Sequence, residues 1–306
     1  MSDPRPLGVF DSGVGGLTVL REIVRRSPHE STIYLGDNAR TPYGTRTDEE
    51  VLAFSTQSLD ALVERDVKAI VVACNTSTAV GLAAYRRRYS LPVLGVIRAG
   101  ASAAALATRV KRVGVIATPA TIRSHAYFEA IKDENPAVEV YEHATPALVP
   151  LVEAGILVGP VAEAAIADAL APLLGGPDSA GESIFPKPPG ATVDTLLLGC
   201  THYPLLRSLI AAVVGDRVAI VDSATATASA LSELLSVNGM EAPGTTRGTA
   251  ADAGHLGHER NAERVHAVTH RQLTTGDPDA FHALASQLFG SAFPDVEYLD
   301  LGVPAG

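Results

Sequence analysis

Short runs rich in Val, Ile and Leu alternate with longer amphipathic stretches along most of the chain, and no other feature constrains the fold as tightly. Runs that are apolar at consecutive positions belong to strands covered on both faces, as in parallel sheets flanked by helices. The pattern predicts strands at Leu7–Phe10, Thr32–Leu35, Ala69–Ala73, Val93–Val96, Val113–Ala117, Val138–Tyr141, Thr195–Leu198, Val218–Val221, Val265–Thr269 and Val296–Leu299. Between them, Leu17–Arg26, Glu49–Arg65, Ala79–Tyr89, Thr121–Lys132, Pro160–Leu173 and Leu205–Val214 carry apolar residues at helical spacing. An α/β fold follows. Such sheets bind ligands beyond the carboxyl ends of their strands, so the residues just after each strand hold most of the functional information.

Viewed from those strand ends, the chain repeats itself. Val9-Phe10-Asp11-Ser12-Gly13 resembles Val115-Ile116-Ala117-Thr118-Pro119, and Val71-Val72-Ala73-Cys74-Asn75-Thr76 resembles Leu197-Leu198-Gly199-Cys200-Thr201-His202. The first pair is offset by 106 (117 − 11) and the second by 126 (200 − 74). The Gly/Pro-rich Gly175–Ala191 segment reads as a surface insertion that absorbs the difference. The chain's 306 residues suit two domains. We expect two pseudo-symmetric α/β domains, one formed by residues 1–97 plus 208–306 and the other by 98–207. Gly244–Ala262 would be a loop or insertion in the first.

Composition removes several classes of function. Twenty-four basic against 34 acidic residues give a net charge of −10, a poor basis for direct contact with a nucleic-acid backbone. Two cysteines form neither a disulfide framework nor a four-thiolate zinc site. The N-terminus, Met-Ser-Asp-Pro-Arg-Pro, lacks the apolar core of a signal peptide, and no apolar run is long enough to span a bilayer. A cytoplasmic protein is expected. His255, His258, His266 and His270 lack a companion cysteine or acid cluster, so no metal site is expected among them.

Both cysteines fall at equivalent places. Each ends an apolar run and precedes small polar residues that open a helix, Asn75-Thr76-Ser77 after Cys74 and Thr201-His202 after Cys200. A helix N-terminus favours anions and lowers a thiol's pKa from about 8.5, so thiolate near neutral pH is the expectation. Its free N–H groups can also hold a carboxylate. Two buried core cysteines are the alternative reading. A Cys/His enzyme with His202 as base is another, although it leaves Cys74 unused. Asp11-Ser12-Gly13-Val14-Gly15-Gly16 places a carboxylate and a hydroxyl before a glycine-rich helix start. As a dinucleotide fingerprint it fails, since Thr18 stands at the third glycine and Asp11 would face the pyrophosphate. Pro42-Tyr43-Gly44 offers backbone N–H groups, Thr118 and Thr121 occupy the matching turn of the second half, and Glu153 is either a helper acid or a solvated one.

These motifs match a family. Gly8–Val19 with its Asp11-Ser12 pair, Tyr34-Leu-Gly-Asp37 with Pro42-Tyr43-Gly44, Ala73-Cys74-Asn75-Thr76, and Leu198-Gly-Cys200-Thr201-His202-Tyr203-Pro204-Leu205 together resemble the glutamate racemases. These belong to the cofactor-independent Asp/Glu racemase superfamily. The resemblance runs from Leu7 to about Ala224 and resumes at Leu273–Asp277. It implies three-layer αβα domains with the active site in the cleft between them, and interconversion of L- and D-glutamate for peptidoglycan synthesis. Cys74 and Cys200 would be the acid/base thiols, with Asp11, His202 and Glu153 assisting. Asp11, Ser12, Tyr43, Gly44, Asn75, Thr76, Thr118, Thr121, Thr201 and His202 would bind substrate. No cofactor is implied, and a homodimer is expected. Arg98 and Ala99 depart from the family's pattern at a position that bears on the hinge or interface.

A pyridoxal mechanism would need a Schiff-base lysine. The four lysines do not suit: Lys68 and Lys111 precede strands, Lys132 is late in a helix, and Lys187 lies in the Pro-rich segment. Aspartate or another acidic amino acid remains an alternative substrate. A hydrolase or a binding domain on the same scaffold remains an alternative function.

Overall fold

The computed structural model describes residues 2–174, 193–244, 267–290 and 295–302. Two parallel sheets organise the chain. The first has six strands: β1 (Leu7–Asp11), β2 (Thr32–Gly36), β3 (Ala69–Val72), β4 (Val93–Gly95), β9 (His270–Thr274) and β10 (Val296–Tyr298), in the order β10-β9-β2-β1-β3-β4. The second has four: β5 (Arg112–Ala117), β6 (Glu139–Ala144), β7 (Thr195–Gly199) and β8 (Ala219–Asp222), in the order β6-β5-β7-β8.

Side-chain alternation gives each sheet two buried faces. In the first, Leu7, Val9, Tyr34 and Val71 face one core with α1 (Leu17–Arg26), α10 (Ser223–Val237) and α11 (Pro278–Phe289). Phe10, Ile33, Leu35, Ile70 and Val72 face the other, with α2 (Asp48–Val63) and α3 (Asn75–Arg88). In the second, Ile116, Leu196 and Leu198 pack with α7 (Leu148–Glu153), α8 (Pro160–Leu174) and α9 (Arg207–Val214). Val113, Val115 and Leu197 pack with α4 (Ile97–Ala107) and α6 (Ala126–Glu134). Both halves are thus three-layer αβα sandwiches.

The repeat read from sequence appears in the sheet registers. Phe10 pairs with Val72 as Ile116 pairs with Leu198, which reproduces the offsets of 106 (116 − 10) and 126 (198 − 72). In each half the first strand lies between the second and third, and a cysteine follows the third.

Several expectations shift. Residues 208–222 do not return to the first sheet, because β8 pairs with β7 and so extends the second beyond the expected boundary at 207. The expected helix Thr121–Lys132 is two, α5 (Pro119–Arg123) and α6, broken where His125 takes a left-handed conformation with φ 52°. The strand expected at Val265–Thr269 begins at His270, since β2 selects its register and pairs Thr32 with His270. His255, His258 and His266, Lys187, Gly175–Ala191 and most of Gly244–Ala262 lie outside the described residues. Among the described residues no helix is long and apolar enough to cross a membrane, and no cluster could hold a metal ion.

Candidate active site

The carboxyl ends of β1, β3, β5 and β7 converge on one pocket between the two sheets, about 550 Å³ of space partly open to solvent. Ser12, Cys74, Asn75 and Thr76 border it from the first half, and Thr118, Cys200, Thr201 and His202 from the second. The segment Thr41–Thr45 closes one side. Pro119, Pro146, Val149 and Pro150 form apolar walls. Both thiols, 4% and 6% exposed, therefore face the same small space.

Cys74 caps α3: the Ser77 N–H donates to its sulfur at 3.5 Å, and the thiol lies 3.5 Å from Ser12 Oγ. Thiolate near neutral pH was expected from the helix terminus, and the surroundings reverse that expectation. Burial pushes the Cys74 thiol up to about 12, and the Asp11 carboxylate adds to the effect, while the two hydrogen bonds act only partly against it. That balance favours the thiol form of Cys74.

Cys200 has different company. Its sulfur is 3.7 Å from His202 Nδ1, and His202 Nε2 is 2.6 Å from Glu153 Oε1. Burial works against the imidazolium, but the bonds to Cys200 and Glu153 prevail and hold His202 well above the usual histidine range. Burial likewise works against the Glu153 carboxylate, and its hydrogen bond to His202 prevails to hold it low. The two sulfurs are equivalent by fold and unlike in chemistry.

Asp11, Thr121 and Glu153 do not line the pocket but bond to residues that do, Thr201, Thr76 and His202 respectively. Asp11 is fully buried and its pKa is raised by that burial; its carboxylate accepts from Gly13 N at 3.0 Å and Thr201 Oγ1 at 3.2 Å. Thr76 Oγ1 lies 2.9 Å from Thr118 Oγ1 and 3.4 Å from Thr121 Oγ1, a cluster of hydroxyls that joins the two halves. The Tyr43 hydroxyl donates to Asp37, so Tyr43 offers the pocket its ring and backbone and not its hydroxyl. Tyr43 and Gly44 open a 3-10 turn, whose first N–H groups have no partner within the turn.

Two contributors were not legible in the sequence. Thr41 borders the pocket with its buried hydroxyl unpartnered among the described residues; its only signal was its place before Pro42-Tyr43-Gly44, and the Thr41–Pro42 peptide is cis. Tyr127 of α6 donates to Asn75 Oδ1 at 2.6 Å, which leaves Asn75 Nδ2 as a buried donor without a partner among the described residues. Buried donors of this kind call for a ligand acceptor. Of the lysines, Lys68 is committed at the amino end of β3, paired with Glu30 at 2.6 Å, and Lys132 donates to Pro136 O and Val138 O.

Known proteins are similar to this chain in sequence and in architecture. The profile of the family described as Asp/Glu/Hydantoin racemase matches residues 8–179. A glutamate racemase of Geobacter metallireducens is 49% identical over 231 residues, 76% of this chain and 80% of that protein. The crystal structure of a glutamate racemase isoform from Bacillus anthracis superposes with a TM-score of 0.80 at 37% identity, covering 97% of this chain and 98% of the other. That of a Francisella tularensis glutamate racemase in complex with D-glutamate gives 0.78 at 31% identity, covering 98% of both. With a family match over more than half its length and relatives this similar over most of it, the chain belongs to the Asp/Glu/Hydantoin racemases, among the glutamate racemases.

Proposed function

We propose that this protein interconverts L- and D-glutamate by proton transfer at Cα between two thiols, without a cofactor. The observation that carries this reading is that Cys74 and Cys200 border one pocket from opposite halves. Inversion by proton transfer needs a base on one face of the stereocentre and an acid on the other. Cys200 acts as base toward L-glutamate and Cys74 as base toward D-glutamate, and in each direction the other thiol returns a proton. His202, held by Glu153, takes and gives the Cys200 proton; Asp11 and Ser12 serve Cys74.

The Cα proton is a very weak acid beside a thiol. Preorganised donors around the substrate carboxylate, in a pocket shielded from water, lower that barrier. Ser12, Asn75 Nδ2, Thr76 and Thr201 suit that task, together with the N–H groups of the 3-10 turn at Tyr43–Thr45. The hydroxyls of Thr118 and Thr121 meet Thr76 across the cleft and complete the binding wall. Glutamate, rather than aspartate, is the reading favoured by the named relatives. Supply of D-glutamate for peptidoglycan in the cytoplasm, by a homodimer, follows from the same reading.

The test incubates the purified protein with L-glutamate in D2O without added cofactor. Deuterium at Cα and decay of optical rotation to zero are expected. Cys74→Ala and Cys200→Ala should each abolish racemisation. Normal turnover in either variant, or hydrolysis without Cα exchange, overturns the two-thiol mechanism.

A further inference from the structure

The glycine-rich turn between β1 and α1 serves neither of the roles usual for such turns: it is not a fingerprint for a phosphate, and backbone conformation does not demand its glycines. None of Gly13, Gly15 and Gly16 takes a positive φ. What they provide is room for the other half of the molecule. A Cβ on Gly13 would lie 2.6 Å from Glu153 Oε1. One on Gly15 would lie 2.5 Å from His202 Nδ1, 2.7 Å from its Cε1 and 2.5 Å from Thr201 Oγ1. Real Cβ atoms do not approach so closely, so any side chain here displaces the imidazole or the carboxylate.

The turn also grips what it admits. The Val14 N–H donates to the Glu153 carboxylate, and the Thr18 hydroxyl lies 3.2 Å from Thr201 O. Glu153 is thus fixed between the Val14 backbone and His202 Nε2, while His202 Nδ1 is held 3.7 Å from Cys200 Sγ. Toward Cys74, on its own half, the same turn presents Ser12, whose Oγ lies 3.5 Å from the sulfur.

We propose that Gly13 and Gly15 are positioning residues for the Cys200 side of the reaction: the first half, through this turn, seats the Glu153–His202 pair that serves the thiol of the second. The inference rests on the two-thiol reading of the site. It makes the proton transfer at Cys200 conditional on apposition of the two halves, whereas the groups bonded to the Cys74 sulfur, Ser12 Oγ and Ser77 N, both come from its own half.

The test uses Gly15→Ala and Gly13→Ala in the full chain, with Cα-deuterated substrates. Because the enantiomers are equal in energy, kcat/KM must fall equally in both directions; a fall on the order of 10- to 100-fold is expected for a displaced proton carrier. The isotope effects separate the two sides. If the Cys200 step has become limiting, deuterated L-glutamate shows a larger primary effect than in the wild type. Deuterated D-glutamate shows a smaller one, since its label leaves at Cys74. Equal changes in the two isotope effects overturn the proposal. The pair Gly13→Ala/Glu153→Asp supplies a second measurement should Gly15→Ala fail to fold. Shortening the acid relieves the contact, so the pair should exceed the product of the single-variant activities by about fivefold; simple multiplication of losses counts against the seat. Failure of the wild type to exchange Cα–H with solvent would overturn the two-thiol reading itself, and is distinct from either result.

Discussion

His202 Nε2 and Glu153 Oε1 meet at 2.6 Å, and the far side of the same imidazole is 3.7 Å from Cys200 Sγ. The imidazole therefore links a carboxylate to a thiol, which fixes both its orientation and its charge.

Glu153→Gln should lower the His202 pKa and reduce turnover roughly 10²-fold, the scale of a displaced acid–base partner. Glu153 is held below its ordinary 4.5, so its stabilisation is complete above that pH and is lost as pH falls through the lowered value. His202 is held above its ordinary 6.5, so its share is complete below 6.5 and is lost as pH rises through the raised value. Urea midpoints of wild type and variant should differ most between those two ordinary values and converge at either extreme. Titration of the His202 ring by NMR checks the pKa directly.

With its thiol pushed up to about 12, Cys74 is protonated in nearly all molecules at pH 8. Iodoacetamide should therefore leave Cys74 unmodified in the substrate-free protein at that pH. Asp11→Asn, which removes the neighbouring negative charge, should raise its labelling rate. Site-resolved mass spectrometry of timed samples measures both.

Tyr127→Phe removes the donor to Asn75 Oδ1 and frees the amide to turn. A net hydrogen bond of about 1 kcal/mol corresponds to roughly a fivefold rise in KM, with kcat less affected. Steady-state kinetics in both directions test this.

Lys68 and Glu30 form a buried ion pair at 2.6 Å, and the ammonium also donates to Asp3 O and Met240 O. Lys68→Met leaves a carboxylate buried without its cation and should cost about 3–5 kcal/mol. Urea unfolding should show this loss, and the double variant with Glu30→Gln should recover part of it. Turnover per folded molecule should not change, since the pair lies at the end of the sheet away from the pocket.

Local pattern carried every strand but β9, the repeat and both cysteines, because apolar runs and the residues that follow them are adjacent in the chain. Helix α4 was not expected, since Gly100-Ala-Ser-Ala-Ala-Ala offers no large side chains from which to read a period; the Ala- and Thr-rich start of α10 hid it likewise. The αL residue at His125 has no glycine to announce it. Membership of β8 in the second sheet is a matter of nonlocal pairing. The protonated state of Cys74 depends on burial and on Asp11, neither of which a helix-start signal reports. Tyr127 meets Asn75 across 52 residues of chain, so only the fold brings them together.

The backbone passes between the sheets after β4 and again after β8, and there Gly100 stands so near Ser223 that a Cβ would be 3.0 Å from that residue's own. Each sulfur follows a strand of a different sheet, so neither sheet alone determines the gap between them. That spacing is a property of the paired crossings. A bulkier side chain at Gly100 would reset it from a distance, altering the geometry of proton delivery while every group in the pocket kept its identity.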